Sequence, residues 1–241
     1  MRSNTLKAQV RAGQRTWGVS FRFKSLPMVE LAAKLGFDYI FLEGEHGALS
    51  LEDIEEMCIV ADALGISTVA RVPRLDSSTI LQFLDRGVMG IRAPHTSTRE
   101  ETETFVRYCK FAPEGIRSFS SSRPADYQRP KDLPSYMARA NEEIMTIAMI
   151  EDEEAVRNLP EILTVKGLDV VTIGPFDLAQ SMGEPNPQTP RVVELMERVV
   201  EQIRRSGKIH ERDCMNRIDA MEIFKNGAVD YLRKEKAGAT S

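Results

Sequence analysis

Short runs that are apolar on both faces, set between amphipathic stretches of helical length, restrict this chain more than any other feature. They occur at Trp17–Phe21, Asp38–Leu42, Thr68–Arg71, Met89–Ala93, Ile144–Ile150 and Asp169–Ile173. A strand without polar alternation is buried on both sides, which calls for a parallel sheet covered by helices. The intervening segments carry helix punctuation. Pro27–Leu35 is stopped by Gly36, Ser50-Leu-Glu-Asp53 and Thr98-Arg-Glu-Glu101 read as capping boxes, Asp76 as a cap and Thr189-Pro190 as a helix start. A dinucleotide-binding sheet is the rival arrangement, but no Gly-x-Gly-x-x-Gly follows the first strand. The expected fold is a (β/α)8 TIM barrel.

Chemistry sits where such a barrel would use it. Glu151 follows Ile144–Ile150, Asp177 follows the run through Ile173, Glu43 and His46 follow Asp38–Leu42, and Arg71 ends its own run. Functional groups at the carboxyl ends of several parallel strands form the active site of a barrel. Each has an ordinary explanation too: Glu151 and Asp177 as helix-start acids, His46 as a structural imidazole. Together, two carboxylates supply the hard oxygens that Mg2+ or Mn2+ prefers, and Co2+ is also admissible. The turn Gly174-Pro-Phe-Asp-Leu178 adds free backbone N–H groups at a helix start, suited to binding a substrate carboxylate. His46 is suited to proton transfer near neutral pH, with Asp85 to orient it, and Arg71 to stabilising an oxyanion. His95 and His210 have no assigned role.

Length and composition bound the rest. A chain of 241 residues with 42% apolar and 28% charged residues suits one barrel domain spanning 1–241. A net charge of −4 with dispersed Lys and Arg disfavours nucleic acid. Cys58, Cys109 and Cys214 lack metal spacing, and no run reaches membrane-spanning length, so a soluble, cytoplasmic protein is expected. The loop from Pro113 to Glu142 is long enough to be a lid or an interface segment. After residue 208 the pattern fails. Lys208-Ile-His-Glu-Arg-Asp-Cys214 is too polar for an inner strand. Arg217–Asn226 reads as a helix stopped by Gly227, and Ala228–Leu232 as a short eighth strand with no closing helix after it. The barrel is therefore expected to be modified or incomplete at its seventh and eighth units, within a divergent segment 208–241.

Phe37-Asp-Tyr-Ile-Phe-Leu-Glu-Gly-Glu-His-Gly47, Ala70-Arg71, Leu84-Asp-Arg-Gly87, Ala112-Pro-Glu-Gly-Ile-Arg117, Met149-Ile-Glu151 and Ile173-Gly-Pro-Phe-Asp-Leu-Ala-Gln-Ser-Met-Gly183 resemble the HpcH/HpaI aldolases. These are metal-dependent class II aldolases of 2-oxo acids. The resemblance implies Glu151 and Asp177 as metal ligands, Arg71 on the pyruvate carbonyl oxygen and His46 with Asp85 as the base. It also implies the turn at Gly174, Phe176 and Asp177 as the carboxylate site. The implied reaction makes or cleaves a 4-hydroxy-2-oxo acid from pyruvate and an aldehyde. The implied assembly is a homo-oligomer, trimer or hexamer, that exchanges its last helix. Two alternatives remain open at this point: a relative that forms the enolate by decarboxylating oxaloacetate, and a degenerate, non-catalytic barrel serving as an assembly subunit. The chain departs from the family pattern at Glu43 (usually Asp), Met149 (often Gln), His95 (usually apolar) and Ser118 (usually Gly). It also lacks the apolar seventh strand and the final helix.

Overall fold

The computed structural model describes residues 2–238. The chain runs α1 (Thr5–Arg11), β1 (Thr16–Phe21), α2 (Leu26–Lys34), β2 (Tyr39–Glu43), α3 (Leu51–Ala63), β3 (Ser67–Arg71), α4 (Ser77–Asp85), β4 (Gly90–Ala93) and α5 (Arg99–Cys109). A long connection then holds one 3-10 turn (Arg123–Ala125) and α6 (Leu133–Glu143). It is followed by β5 (Met145–Ile150), α7 (Glu153–Ile162), β6 (Val170–Ile173), α8 (Pro175–Ser181) and α9 (Pro190–Arg205). The end of the chain is β7 (Ile209–His210), α10 (Glu211–Cys214), β8 (Met215–Asp219) and α11 (Ala220–Gly238).

All eight strands pair in parallel within one sheet, in the order β7-β6-β5-β4-β3-β2-β1-β8. The sheet is a curled, TIM-barrel-like half-barrel, and no ladder joins β7 to β8. Both expected capping boxes are present: the Ser50 hydroxyl accepts from Asp53 N–H, the Thr98 hydroxyl from Glu101 N–H, and each acid returns the bond. The large core lies between sheet and helices and includes Ile40, Leu42, Ile54, Ile91, Ile150 and Leu159. A second core fills the inside of the curl at its amino end, where Tyr39, Phe41, Val69, Met145 and Ile147 meet Leu6 and Val10 of α1. This plug leaves only the carboxyl ends of the strands open for chemistry.

The end of the chain corrects the sequence-based expectation. The eighth strand is Met215–Asp219, laddered to β1 from Thr16↔Met215 to Ser20↔Asp219, and not Ala228–Leu232. Residues read as helix, stop and strand, with Gly227 between them, form one 19-residue helix, α11. A final helix therefore exists. Gly227 is tolerated because its surroundings are open, with nothing within 4 Å of a Cβ placed there. The seventh strand shrinks to two residues, paired with Val170 and Val171, and only the single turn α10 separates it from β8. No outer helix lies between those two strands. The stretch expected as one long loop also contains α6. No helix among the described residues is long and apolar enough to cross a membrane.

Candidate active site

At the carboxyl end of β2, Glu43 is buried, and its Oε1 accepts from the backbone N–H of Glu45 (3.0 Å) and His46 (3.2 Å). Those two bonds shape the Glu-Gly-Glu-His turn. Arg71, directly across the ladder at the end of β3, donates from Nε to both Glu43 oxygens at 2.9 Å and places Nη2 2.7 Å from Oε2. Its Nη1 lies 2.9 Å from Glu45 Oε2. Burial works against both charges here, but the pairing outweighs it: Glu43 is held below and Arg71 above its ordinary pKa. The guanidinium is thus fixed in one orientation by two carboxylates.

Glu151 directly follows β5 and is 2% exposed. Desolvation raises its pKa; the backbone and ring of His95 oppose that, while Asp177 and Glu45 add to it by repulsion. Asp177 stands in the first turn of α8, after Gly174-Pro175. Gly174 has to be glycine: a Cβ there would lie 2.6 Å from Glu151 Oε2 and 2.8 Å from the Met149 methyl. In the first turn of α8 the N–H groups of Phe176 and Asp177 have no acceptor within the helix.

Four acids, Glu43, Glu45, Glu151 and Asp177, therefore gather at one mouth against Arg71 and His95. That surplus of negative charge, all on hard oxygens, suits a divalent cation. Among the described residues no group of three or more His, Cys, Asp and Glu side chains converges as a complete cage. Glu151 and Asp177 are near enough for the charge of Asp177 to oppose ionisation of Glu151.

His46 reaches this mouth from the β2 turn with a side chain that is 62% exposed, its Nε2 3.8 Å from Glu45 Oε2. Asp85 is engaged elsewhere, accepting from Arg117 Nη2 at 3.0 Å, and Arg117 in turn stacks on Phe111. The expected His46–Asp85 pairing is thus replaced by an Asp85–Arg117 pair. His95, left without a role in the sequence, belongs to the site. Its Nδ1 is 3.2 Å from Glu151 Oε1, its Nε2 3.3 Å from Glu45 Oε1, and its N–H donates to Glu151 at 2.5 Å. Its φ of 50° is unusual for a residue with a side chain, and such strain is maintained where the surroundings demand it. The available signal was its place at a fifth strand end, just after Pro94.

The comparisons with known proteins identify the family. Residues 22–229 match the model of the family described as HpcH/HpaI aldolase/citrate lyase. The 4-hydroxy-2-oxo-heptane-1,7-dioate aldolase of Escherichia coli is 34% identical over 206 residues, 85% of this chain and 78% of the relative. The enzyme of the same name from Klebsiella pneumoniae is 34% identical over 207 residues, 86% of this chain and 78% of the relative. Among solved structures, an HpcH/HpaI aldolase from Desulfitobacterium hafniense superposes with a TM-score of 0.88 at 25% identity, covering 98% of this chain and 97% of the other. The citrate synthase SbnG superposes with a TM-score of 0.85 at 27% identity, covering 97% and 98%. By family model and by relatives alike, the chain belongs to the HpcH/HpaI aldolase/citrate lyase family and is a carbon–carbon lyase of the aldolase type.

Proposed function

We propose that this lyase joins the enolate of a 2-oxo acid, pyruvate in the simplest case, to an aldehyde, and cleaves the resulting 4-hydroxy-2-oxo acid in reverse. The observation that carries this reading is the convergence of the Arg71 guanidinium, fixed by Glu43 and Glu45, with the acidic Glu151 and Asp177 at one mouth. In this reading Glu151 and Asp177 hold Mg2+, Mn2+ or Co2+, which supplies Lewis-acid polarisation of the 2-oxo acid. Arg71 stabilises the charge that develops on the carbonyl oxygen, a role that preorganisation by Glu43 and Glu45 favours. The N–H groups of Phe176 and Asp177, after Gly174, receive the substrate carboxylate. His46 moves the proton at C3. Asp85, tied to Arg117, acts as a positioning residue for the long loop. The name of the curated relatives supports a 4-hydroxy-2-oxo acid as substrate, and the SbnG likeness supports the capacity for C–C bond formation.

The deciding experiment is exchange of the pyruvate methyl protons in D2O with Mn2+. Exchange should be metal-dependent, and its absence would reduce the chain to a binding scaffold. His46→Ala should slow exchange at least about a hundredfold, at the lower end of general-base effects, with pyruvate and Mn2+ affinities nearly kept. Wild-type exchange in that variant transfers the base role to His95, which His95→Ala then tests.

The same reading includes a homo-oligomer, trimer or hexamer, built on a (β/α)8 scaffold in the cytoplasm. Its support is α11, which leaves Met221, Phe224, Tyr231 and Leu232 exposed at 55%, 69%, 62% and 51%. Soluble proteins cover apolar patches of this kind with a partner. Light scattering should give a multiple of the 27.1 kDa protomer, and a monomer mass at micromolar concentration would count against assembly. Three buried free thiols fit a reducing compartment.

A further inference from the structure

The shortened seventh unit has a local effect beside the reaction centre. A cavity of about 380 Å3 opens inside the curl, lined by residues that include Arg92, Met149, Thr172, Glu211 and Arg217. Its link to the mouth is Met149, whose methyl lies beside the Glu151 carboxylate, both within 3 Å of the position a Gly174 Cβ would take. One wall is rigid and charged. Arg92 and Arg217 lie over the Phe41 ring at 4.5 and 4.4 Å, and both ion-pair with Glu211 Oε1, Arg217 at 3.0 Å. Thr172 holds the other Glu211 oxygen at 2.6 Å. The two guanidiniums share the one Glu211 carboxylate and are held in place by it and by the Phe41 ring, so this wall keeps a single net positive charge.

A second cavity, of about 260 Å3, adjoins the first. It shares Ile173, Pro175 and Arg212 with the first and continues along Val193, Met196 and Val200 of α9, with Glu197, Arg204 and His210 also at its wall. This apolar stripe of α9 borders the place where no outer helix follows β7. In a complete barrel such a helix would seal the side, and substrates would enter only through the mouth.

We propose that the two cavities form one lateral acceptor pocket, with the aldehyde carbon beside Met149 and Glu151 and an unbranched apolar chain running past Ile173 into the groove of α9. The proposal rests on the aldolase reading above and names the acceptor class: medium-chain aliphatic aldehydes in preference to short ones. In the addition, C3 of the enolate bonds to the aldehyde carbon, the carbonyl π pair moves to oxygen, and that oxygen takes up a proton to become the 4-hydroxyl.

The test compares octanal with butanal, using the full chain with pyruvate and Mn2+. Each buried methylene contributes roughly fourfold, so kcat/KM for octanal should exceed that for butanal by at least about tenfold. Val193→Trp and Val200→Trp, which fill the second cavity, should abolish that preference while leaving butanal turnover and pyruvate proton exchange unchanged. Equal kcat/KM for the two aldehydes, or a preference that both tryptophan variants retain, overturns the proposal. If pyruvate exchange is absent, the aldolase reading falls separately. The pocket is then decided by saturation-transfer NMR with octan-1-ol: binding lost in both variants supports it, and no binding to the wild type refutes it.

Discussion

Glu151→Ala and Asp177→Ala should each abolish Mn2+ binding and aldol turnover in a protein that still folds. Two carboxylates contribute most of the negative charge for a hard cation, and the apolar cores that hold the sheet lie away from the mouth. Calorimetry is the direct measurement, and unchanged Mn2+ affinity in both variants would remove the metal assignment. Glu151 also allows a signed test without metal. Its pKa is raised by burial and by neighbouring acids, so the folded state binds its proton more tightly than the unfolded chain. The stability associated with that proton is fully present below the unfolded pKa and lost as pH rises through the folded one. Metal-free Glu151→Gln, which never becomes charged, should therefore melt above metal-free wild type at pH 8. The gap should close on acidification. A gap independent of pH would mean that the charge of Glu151 is not what strains the empty site.

Arg71→Lys should lose activity by about 10²–10³, the usual effect of removing one preorganised donor to a developing oxyanion. Lysine keeps the positive charge, but a single ammonium cannot reproduce the fork that meets Glu43 through Nε and Nη2 and Glu45 through Nη1. The turn bearing His46 depends on the same Glu43 carboxylate, through two backbone N–H groups, so its geometry should loosen as well. The expected pattern is a loss in kcat with Mn2+ affinity largely kept. Wild-type turnover in Arg71→Lys would assign the residue to structure alone.

The strands β2 to β6 were legible because both of their faces are buried, and the residues at or just beyond strand ends, Glu43, Arg71, Glu151 and Asp177, were legible as consequences of those positions. What escaped depended on partners distant in the chain. β8 reads as polar because it carries Arg217, which is accommodated where it stacks on Phe41 and pairs with Glu211. Arg92 interrupts an otherwise apolar strand for the same reason. Asp85 sits where it could orient His46, but nothing local reveals that Arg117, 32 positions later, takes it. Gly227 reads as a stop, yet in open surroundings its cost relative to alanine is only about 1 kcal/mol, too little to end α11. α1 was missed because its short pattern gains meaning only beneath Tyr39, Val69 and Met145.

The seam between β7 and β8 bears on how the protein behaves in a crowded solution. A sheet without a closing ladder has two free edges, and an unpaired edge can recruit a strand from another molecule. Here one edge is two residues long, and the other carries Asn216, Arg217 and Asp219 among its five residues. A brief edge offers few backbone groups for pairing, and a charged one disfavours a dry contact. The polarity of β8 is thus the same property that disfavours edge-to-edge pairing of an open-edged sheet. Apolar replacements at Asn216 or Asp219, although they would make the strand look more regular, should promote aggregation.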